Sequence, residues 1–195
     1  STIAAPTQYV QPSTNNLANN GLAQQLQTVA RIIGARSGLG AKRQVFFVSM
    51  GGFDTHDGQN TNQADLLARL SHALGYFDGA LAGLAGGDMR NNVTLFTASD
   101  FGRTLTSNGD GTDHGWGGHH FVSGGAVNGG EIFGRFPQFG LNLNDSANNA
   151  YLPVTAVDTI GSTLGKWFGA SDAQLDTVFP NLRNFPRDLG FLEAT

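Results

Sequence analysis

Leu22, Leu26, Val29 and Ile33 recur at helical spacing and predict an amphipathic helix over about 19–36, ended by Gly38 and Gly40. A second apolar stripe, Leu66, Leu70, Ala73, Phe77, Leu81 and Leu84, predicts a longer helix that Gly86-Gly87-Asp88 stops. Between them, Gln44-Val45-Phe46-Phe47-Val48-Ser49-Met50 is short, apolar and rich in β-formers, and Gly51-Gly52 bounds it. That pattern predicts a buried strand. Val93-Thr94-Leu95-Phe96-Thr97 predicts a second one. A polar, glycine-laden stretch over 102–118 reads as a loop far longer than the usual connection. His120-Phe121-Val122-Ser123 restarts a strand, and 154–168 predicts a further helix ending at Gly169. Residues 1–18, with Pro6 and Pro12, read as an extended polar arm, and 138–150 as a surface loop. Helix and strand therefore alternate over 19–195 with no internal repeat. The expected class is α/β, a mostly parallel sheet covered by helices in a single domain.

Composition narrows the function. Charged residues are only 13% and the net charge is −4, so no basic field exists to hold nucleic acid. No apolar run approaches the roughly 20 residues that span a bilayer. Disorder is excluded by 14 Phe and several long apolar segments that can supply a core. The absence of cysteine removes disulfides, thiolate metal sites and a Cys nucleophile together. A surface low in charge and rich in Asn, Gly, Ser and Thr fits an exported bacterial protein. The chain begins at Ser1 without a signal peptide, which leads to the expectation of a removed export segment or of a piece of something longer.

In open α/β sheets, ligands bind just beyond the carboxyl ends of strands. Two polar clusters are expected there: Gly51-Gly52-Phe53-Asp54-Thr55-His56-Asp57 and Ser99-Asp100-Phe101-Gly102-Arg103-Thr104. A third, from Gly111-Thr112-Asp113-His114 to His119-His120, leads into the third strand. His56, His114, His119 and His120 all lie in these clusters, whereas His72 sits on a helix as a packed or solvent-facing residue. Mixed carboxylate and imidazole ligands suit Zn²⁺ or Mn²⁺. An Asp-x-His pair in an extended segment points both groups to one side, because alternate residues share a face. Asp54 also fits an Asx-turn and His56 a hydrogen-bonded loop histidine. Asn108-Gly109-Asp110-Gly111-Thr112-Asp113 has some look of a calcium loop, but no Glu stands at the spacing such a loop needs, and turn chemistry explains it better. Arg103 can hold an anionic group through its planar fork or make an ordinary surface ion pair. Of His119 and His120, at most one faces the site, and Trp116 either walls a pocket or packs the loop.

Taken together, Gly-Gly-Phe-Asp-Thr-His at 51–56, Ser-Asp-Phe-Gly-Arg-Thr at 99–104 and Gly-Thr-Asp-His-Gly at 111–115 resemble the bacterial family labelled domain of unknown function 1501. Its members are typically exported, and many carry Glu where this chain has Asp100. The likeness runs from about residue 20 to the C-terminus. That family in turn resembles the alkaline phosphatase and sulfatase superfamily. The segment from Val93 to Asp100 is similar to the superfamily's strand ending in a metal-binding Asp. Thr112-Asp113-His114 is similar to its later His-ligand segment, and the run from Val157 to Leu164, then Gly169, to its closing helix.

Carried over, the resemblance implies that Asp54, His56 and His114 bind one divalent metal and Asp100 another, with Asp113 as a further ligand. Zinc or manganese is favoured and calcium is compatible. Arg103 would neutralise charge on the transferring group of an anionic phosphate or sulfate ester, while the two cations polarise the ester oxygen and activate a nucleophile. The superfamily's nucleophile and first Asp ligand come from an N-terminal strand and helix, and Phe101 stands where it has a second His ligand. The resemblance therefore implies the C-terminal half of a larger alkaline-phosphatase-like domain, incomplete by itself. Its complement would be an N-terminal chain of the same precursor, or a homo-oligomer would form. Two functions are open: a periplasmic or secreted metal-dependent ester hydrolase, or a secreted binding or structural component that keeps the fold without catalysis.

Overall fold

A computed structural model describes residues 2–140, 146–147 and 149–193. The chain divides into two units, Ser1–Asn91 with Ser107–Thr112, and Asn92–Thr106 with Asp113–Thr195.

The first unit is built on two helices, α1 (Gly21–Gly34) and α2 (Gln59–Ala82), which pack against each other. Both bury the stripes the periodicity marks: Leu22, Leu26, Val29 and Ile33 on α1, and Leu66, Ala73, Phe77 and Leu81 on α2. Asn20 is the N-cap of α1. Its side-chain oxygen accepts from the backbone N–H groups of Leu22 (3.1 Å) and Ala23 (3.3 Å). The same amide donates from Nδ2 to the Arg69 carbonyl at 2.7 Å and lies 3.1 Å from His72 Nδ1. One buried side chain thus satisfies orphan donors of α1 and clips it to α2.

The N-terminal arm is a short antiparallel hairpin, β1 (Tyr9–Gln11) and β2 (Asn16–Ala18), paired from Tyr9↔Ala18 to Gln11↔Asn16. It is tied to α2 through Asp65, whose carboxylate accepts from Gln11 Nε2 (2.7 Å), the Ser13 backbone N–H (2.8 Å) and the Ser13 hydroxyl. The Tyr76 hydroxyl donates to the Ala4 carbonyl at 2.7 Å and holds the arm further along the same helix.

In the second unit, β3 (Leu95–Phe96) pairs antiparallel with β6 (Val122–Ser123). A separate small sheet has the order β5 (Thr112–Gly115), β4 (Gly102–Ser107), β8 (Ala150–Tyr151), β7 (Ser146–Ala147). Helix α3 (Val157–Phe168) ends in a Schellman turn. Gly169 sits at φ +98°, its N–H donates to Lys166, and that of Ala170 donates to Gly165. Helix α4 (Asp172–Val178) opens with a capping box of Ser171 and Gln174. Gly161 and Gly165 let α4 and the residue after it come close: a Cβ on either would lie 2.4 Å from the Phe179 ring or 2.7 Å from Leu175.

The expected α/β fold, a mostly parallel sheet on the alkaline-phosphatase pattern, does not form. The strand pairs β1–β2, β3–β6, β4–β8 and β7–β8 are all antiparallel and short. Gln44–Met50 joins no ladder: its even-numbered residues are half-buried, while Val45 and Phe47 are 82% and 92% exposed. The apolar run that signals a strand buried on both faces is covered on one face only. The stretch 102–118, read as a loop, instead folds into β4 and β5. The Asn108-Gly109-Asp110-Gly111 turn joins them, with the Asn108 N–H donating to Gly111 at 3.1 Å. Threonines 104, 106 and 112 flanking that turn are a hairpin signal that the glycine content masked. Of the expected surface loop at 138–150, residues 141–145 and 148 lie outside the described residues, and the rest contributes β7 and the start of β8. No helix among the described residues is long and apolar enough to cross a membrane.

The Asp65 tie gives the first unit an acid-sensitive point. Hydrogen bonds from the Ser13 side chain, then from Gln11, hold the Asp65 carboxyl below its ordinary value. A depressed carboxyl contributes stability that is present above the unfolded pKa of about 4 and is lost as pH falls through the lower folded value. We expect thermal unfolding between pH 6 and about pH 2 to show this acid-side loss in the native chain. Asp65→Asn should lower the midpoint at pH 6 and flatten that limb; an unchanged limb would contradict the role.

Candidate functional site

The loop between α1 and α2 carries the first motif. Gly52 adopts φ +101°, and a Cβ there would press to 3.1 Å on Leu66 of α2, so glycine lets this loop lie down on the helix. Thr55 is buried, at 3% exposure, and its N–H donates to the Phe53 carbonyl at 2.9 Å. With Thr55 turned inward, its neighbours on either side turn outward. His56 Nε2 and Asp54 Oδ1 meet at 3.0 Å, with the two side chains 43% and 59% exposed. An ionised carboxylate only accepts, so the imidazole donates through Nε2 in this arrangement. The Asp-x-His spacing thus places a carboxylate oxygen and a ring nitrogen side by side at the surface of the first unit.

The tip of the β4–β5 hairpin, which belongs to this unit, pins that loop. The Asp110 carboxylate accepts from the Gly58 N–H at 3.1 Å and its carbonyl from the Gln59 N–H at 3.0 Å. It thereby caps α2, which has no side-chain cap of its own, and sets a negative charge at the helix N-terminus. The Thr112 hydroxyl donates to Gln59 Oε1 at 2.8 Å. Between them, Gly111 lies so close to the loop that a Cβ would fall 2.1 Å from the His56 carbonyl oxygen and 2.6 Å from that of Thr55. Gly111 opens the third cluster and Asp110 belongs to a turn in the sequence reading, but neither is expected there to hold the loop at residues 55–59. Their turn signal was visible, but the partner of the turn lies some fifty residues away.

The other expected residues belong to the second unit. Asp100 is exposed and follows Ser99, whose hydroxyl donates to the Phe101 carbonyl at 2.9 Å. Phe101 stacks on His114 with ring centroids 4.1 Å apart and planes 6° from parallel. The Arg103 guanidinium lies 5.1 Å over the other aromatic partner of that stack, the Phe101 ring. Asp113 is exposed, and its N–H donates to the Thr104 hydroxyl at 3.1 Å. A Cβ on Gly102 would collide with the Gly117 carbonyl, and one on Gly115 with that of Arg103, so β4 and β5 can approach only as glycines. His119 packs on Phe136 at 5.0 Å. Loss of water, and then the charge of His119, hold His120 below the ordinary imidazole value. Trp116 is 56% exposed, while His72 is the packed residue of the two expected alternatives, bridging Thr7 and Asn20.

A family model described as "Protein of unknown function (DUF1501)" matches residues 5–178. No curated protein and no solved structure matches the chain. The match bears out the family resemblance carried by the three motifs; the further likeness to alkaline phosphatases and sulfatases is carried by none.

Gly111 is the sharpest test of this geometry. Gly111→Ala should cost about 1–3 kcal/mol in chemical denaturation, as overpacking does, and shift the His56 ring signals in NMR. Gly118→Ala, where an added Cβ meets nothing within 4 Å, should do neither. Equal stability and unmoved His56 signals in both variants would contradict the close approach.

Proposed function

We propose that this chain, which belongs to the DUF1501 family of proteins of unknown function, binds a divalent cation through Asp54 and His56 and serves the hydrolysis of phosphate or sulfate esters. One observation carries the reading: a carboxylate oxygen and an imidazole nitrogen at 3.0 Å, both turned to solvent by the burial of the residue between them. Such an O/N pair suits zinc or manganese, and the lack of cysteine leaves no thiolate to compete. Calcium would ask for more oxygen ligands. The motif resemblance adds Asp100, Asp113 and His114 as further ligands. It also extends the proposal to an exported, periplasmic or secreted protein completed by a further chain of the same precursor.

When bound, a divalent cation supplies polarisation of an ester oxygen and neutralisation of developing charge. Asp54 would contribute an anionic oxygen, and the neutral His56 imidazole the ring nitrogen that carries no proton. The planar fork of Arg103 matches the oxygens of a phosphate or sulfate group and would orient it. The alternative is a binding or structural component without catalysis. It is favoured by Phe101, whose ring on His114 puts an apolar side chain where a second imidazole ligand would serve chemistry.

The test is equilibrium dialysis of the full chain against Zn²⁺ and Mn²⁺, followed by a screen of aryl phosphates and sulfates with the metal-loaded protein. We expect stoichiometric binding, weakened more than about 100-fold in both Asp54→Ala and His56→Ala, and turnover that disappears with the metal. Binding without turnover would favour the non-catalytic reading. Failure of either metal to bind would overturn the proposal.

A further inference from the structure

Asparagine precedes glycine at three places, Asn20-Gly21, Asn108-Gly109 and Asn128-Gly129. A glycine in that position has no Cβ to shield its backbone nitrogen, which can then approach the asparagine side-chain carbon. The structure sets the three pairs apart. Asn20 is 1% exposed, and Gly21 opens α1 with its backbone fixed as helix. The Asn128 side-chain amide donates to the Gly190 carbonyl at 2.9 Å and is turned toward that distant segment. Asn108 and Gly109 are exposed at the tip of the β4–β5 hairpin, where a Cβ on Gly109 would meet nothing within 4 Å. The Asn108 carboxamide folds forward over the turn, and its Oδ1 accepts from the Gly111 N–H at 3.1 Å. An N–H on that oxygen draws electrons from the carbon and meets the charge that grows there under attack. The Gly109 N–H donates to the exposed Ser107 hydroxyl at 3.1 Å, a path by which its proton can reach water.

We propose that Asn108 is a site of spontaneous deamidation and that its conversion loosens the loop carrying Asp54 and His56. The Gly109 nitrogen bonds to Cγ of Asn108 and closes a cyclic imide. The bond from Cγ to the side-chain nitrogen breaks, and ammonia leaves with the proton that the Gly109 nitrogen gave up. Water then opens the ring, and nothing is oxidised or reduced. Opening at Cγ gives aspartate. Opening at the main-chain carbonyl gives isoaspartate, whose backbone runs through the former side chain and is one carbon longer. Either product adds a carboxylate to the turn that holds Asp110, and like charges disfavour each other at that range. The lengthened backbone also enters a turn without slack, because Asp110 caps Gly58 and Gln59 while Gly111 lies directly on the His56 and Thr55 carbonyls. No metal and no ester takes part, so the conversion proceeds whether or not the Asp54–His56 pair binds a cation.

The experiment ages the full native chain in mildly alkaline buffer and reads each Asn-Gly pair by peptide mass spectrometry, with isoaspartate located by electron-transfer fragmentation. Conversion at Asn108 should run at least about tenfold faster than at Asn20 or Asn128, whose amides must first give up hydrogen bonds to main-chain carbonyls. Amide hydrogen exchange at Gly58 and Gln59 should quicken in step with it. Asn108→Gln, whose longer side chain closes a larger ring far more slowly, should hold both amides steady over the same period. Conversion of Asn108 no faster than that of the other two would overturn the proposal. So would conversion that leaves exchange at Gly58 and Gln59 unchanged, or exchange that quickens equally in Asn108→Gln.

Discussion

The buried Asn20 amide is the interaction on which the first unit depends. It is 1% exposed, terminates α1 and holds α2 at Arg69 and His72. A buried amide stripped of its partners costs about 1–3 kcal/mol, so both helices are committed to this one side chain. Everything that follows hangs from the pair: the arm fastens to α2 at Asp65 and Tyr76, and the Asp54–His56 loop lies against it at Leu66. The Asp54–His56 pair is presented by a loop, but its position is set by packed helices. That is the usual division between scaffold and chemistry.

Backbone proximity does a second kind of positioning. Gly111 against His56, Gly102 against Gly117 and Gly115 against Arg103 are places where one chain segment touches another with no room for a side chain. The glycine content of this protein is concentrated in function there. It is not a sign of looseness: at these positions a side chain would collide with the neighbouring backbone.

Helices were legible in the amino-acid order because burial on one face leaves a period that a single segment records. α1, read as 19–36, spans Gly21–Gly34, and the expected helix from 154 begins at Val157. The Asp54–His56 contact is also local, but a tight turn, closed by the Thr55 N–H on the Phe53 carbonyl, makes it rather than the extended segment expected. Strand pairing was not legible. The apolarity of Gln44–Met50 records what the segment can bury, not which strand lies beside it, and the segment has one covered face where two were expected. Val93–Thr97 likewise reads as a strand in any sheet; only the long-range pairing of Leu95 with Ser123 shows it to be antiparallel. The turn at Asp110 and Gly111 has a local signature, but the roles of these residues depend on residues 55–59, which it does not identify.

Membership of a family of unknown function leaves the chemistry to be argued from the side chains, and a fold by itself would not supply it. The most direct measurement is anomalous diffraction from crystals of the full chain grown with Mn²⁺ or Zn²⁺. We expect a peak bonded to an Asp54 carboxylate oxygen and a His56 ring nitrogen at about 2.0–2.2 Å, with the direct contact between those two side chains replaced by the ion. An Asp54–His56 contact that persists at 3.0 Å with no peak beside it would contradict metal binding by this pair.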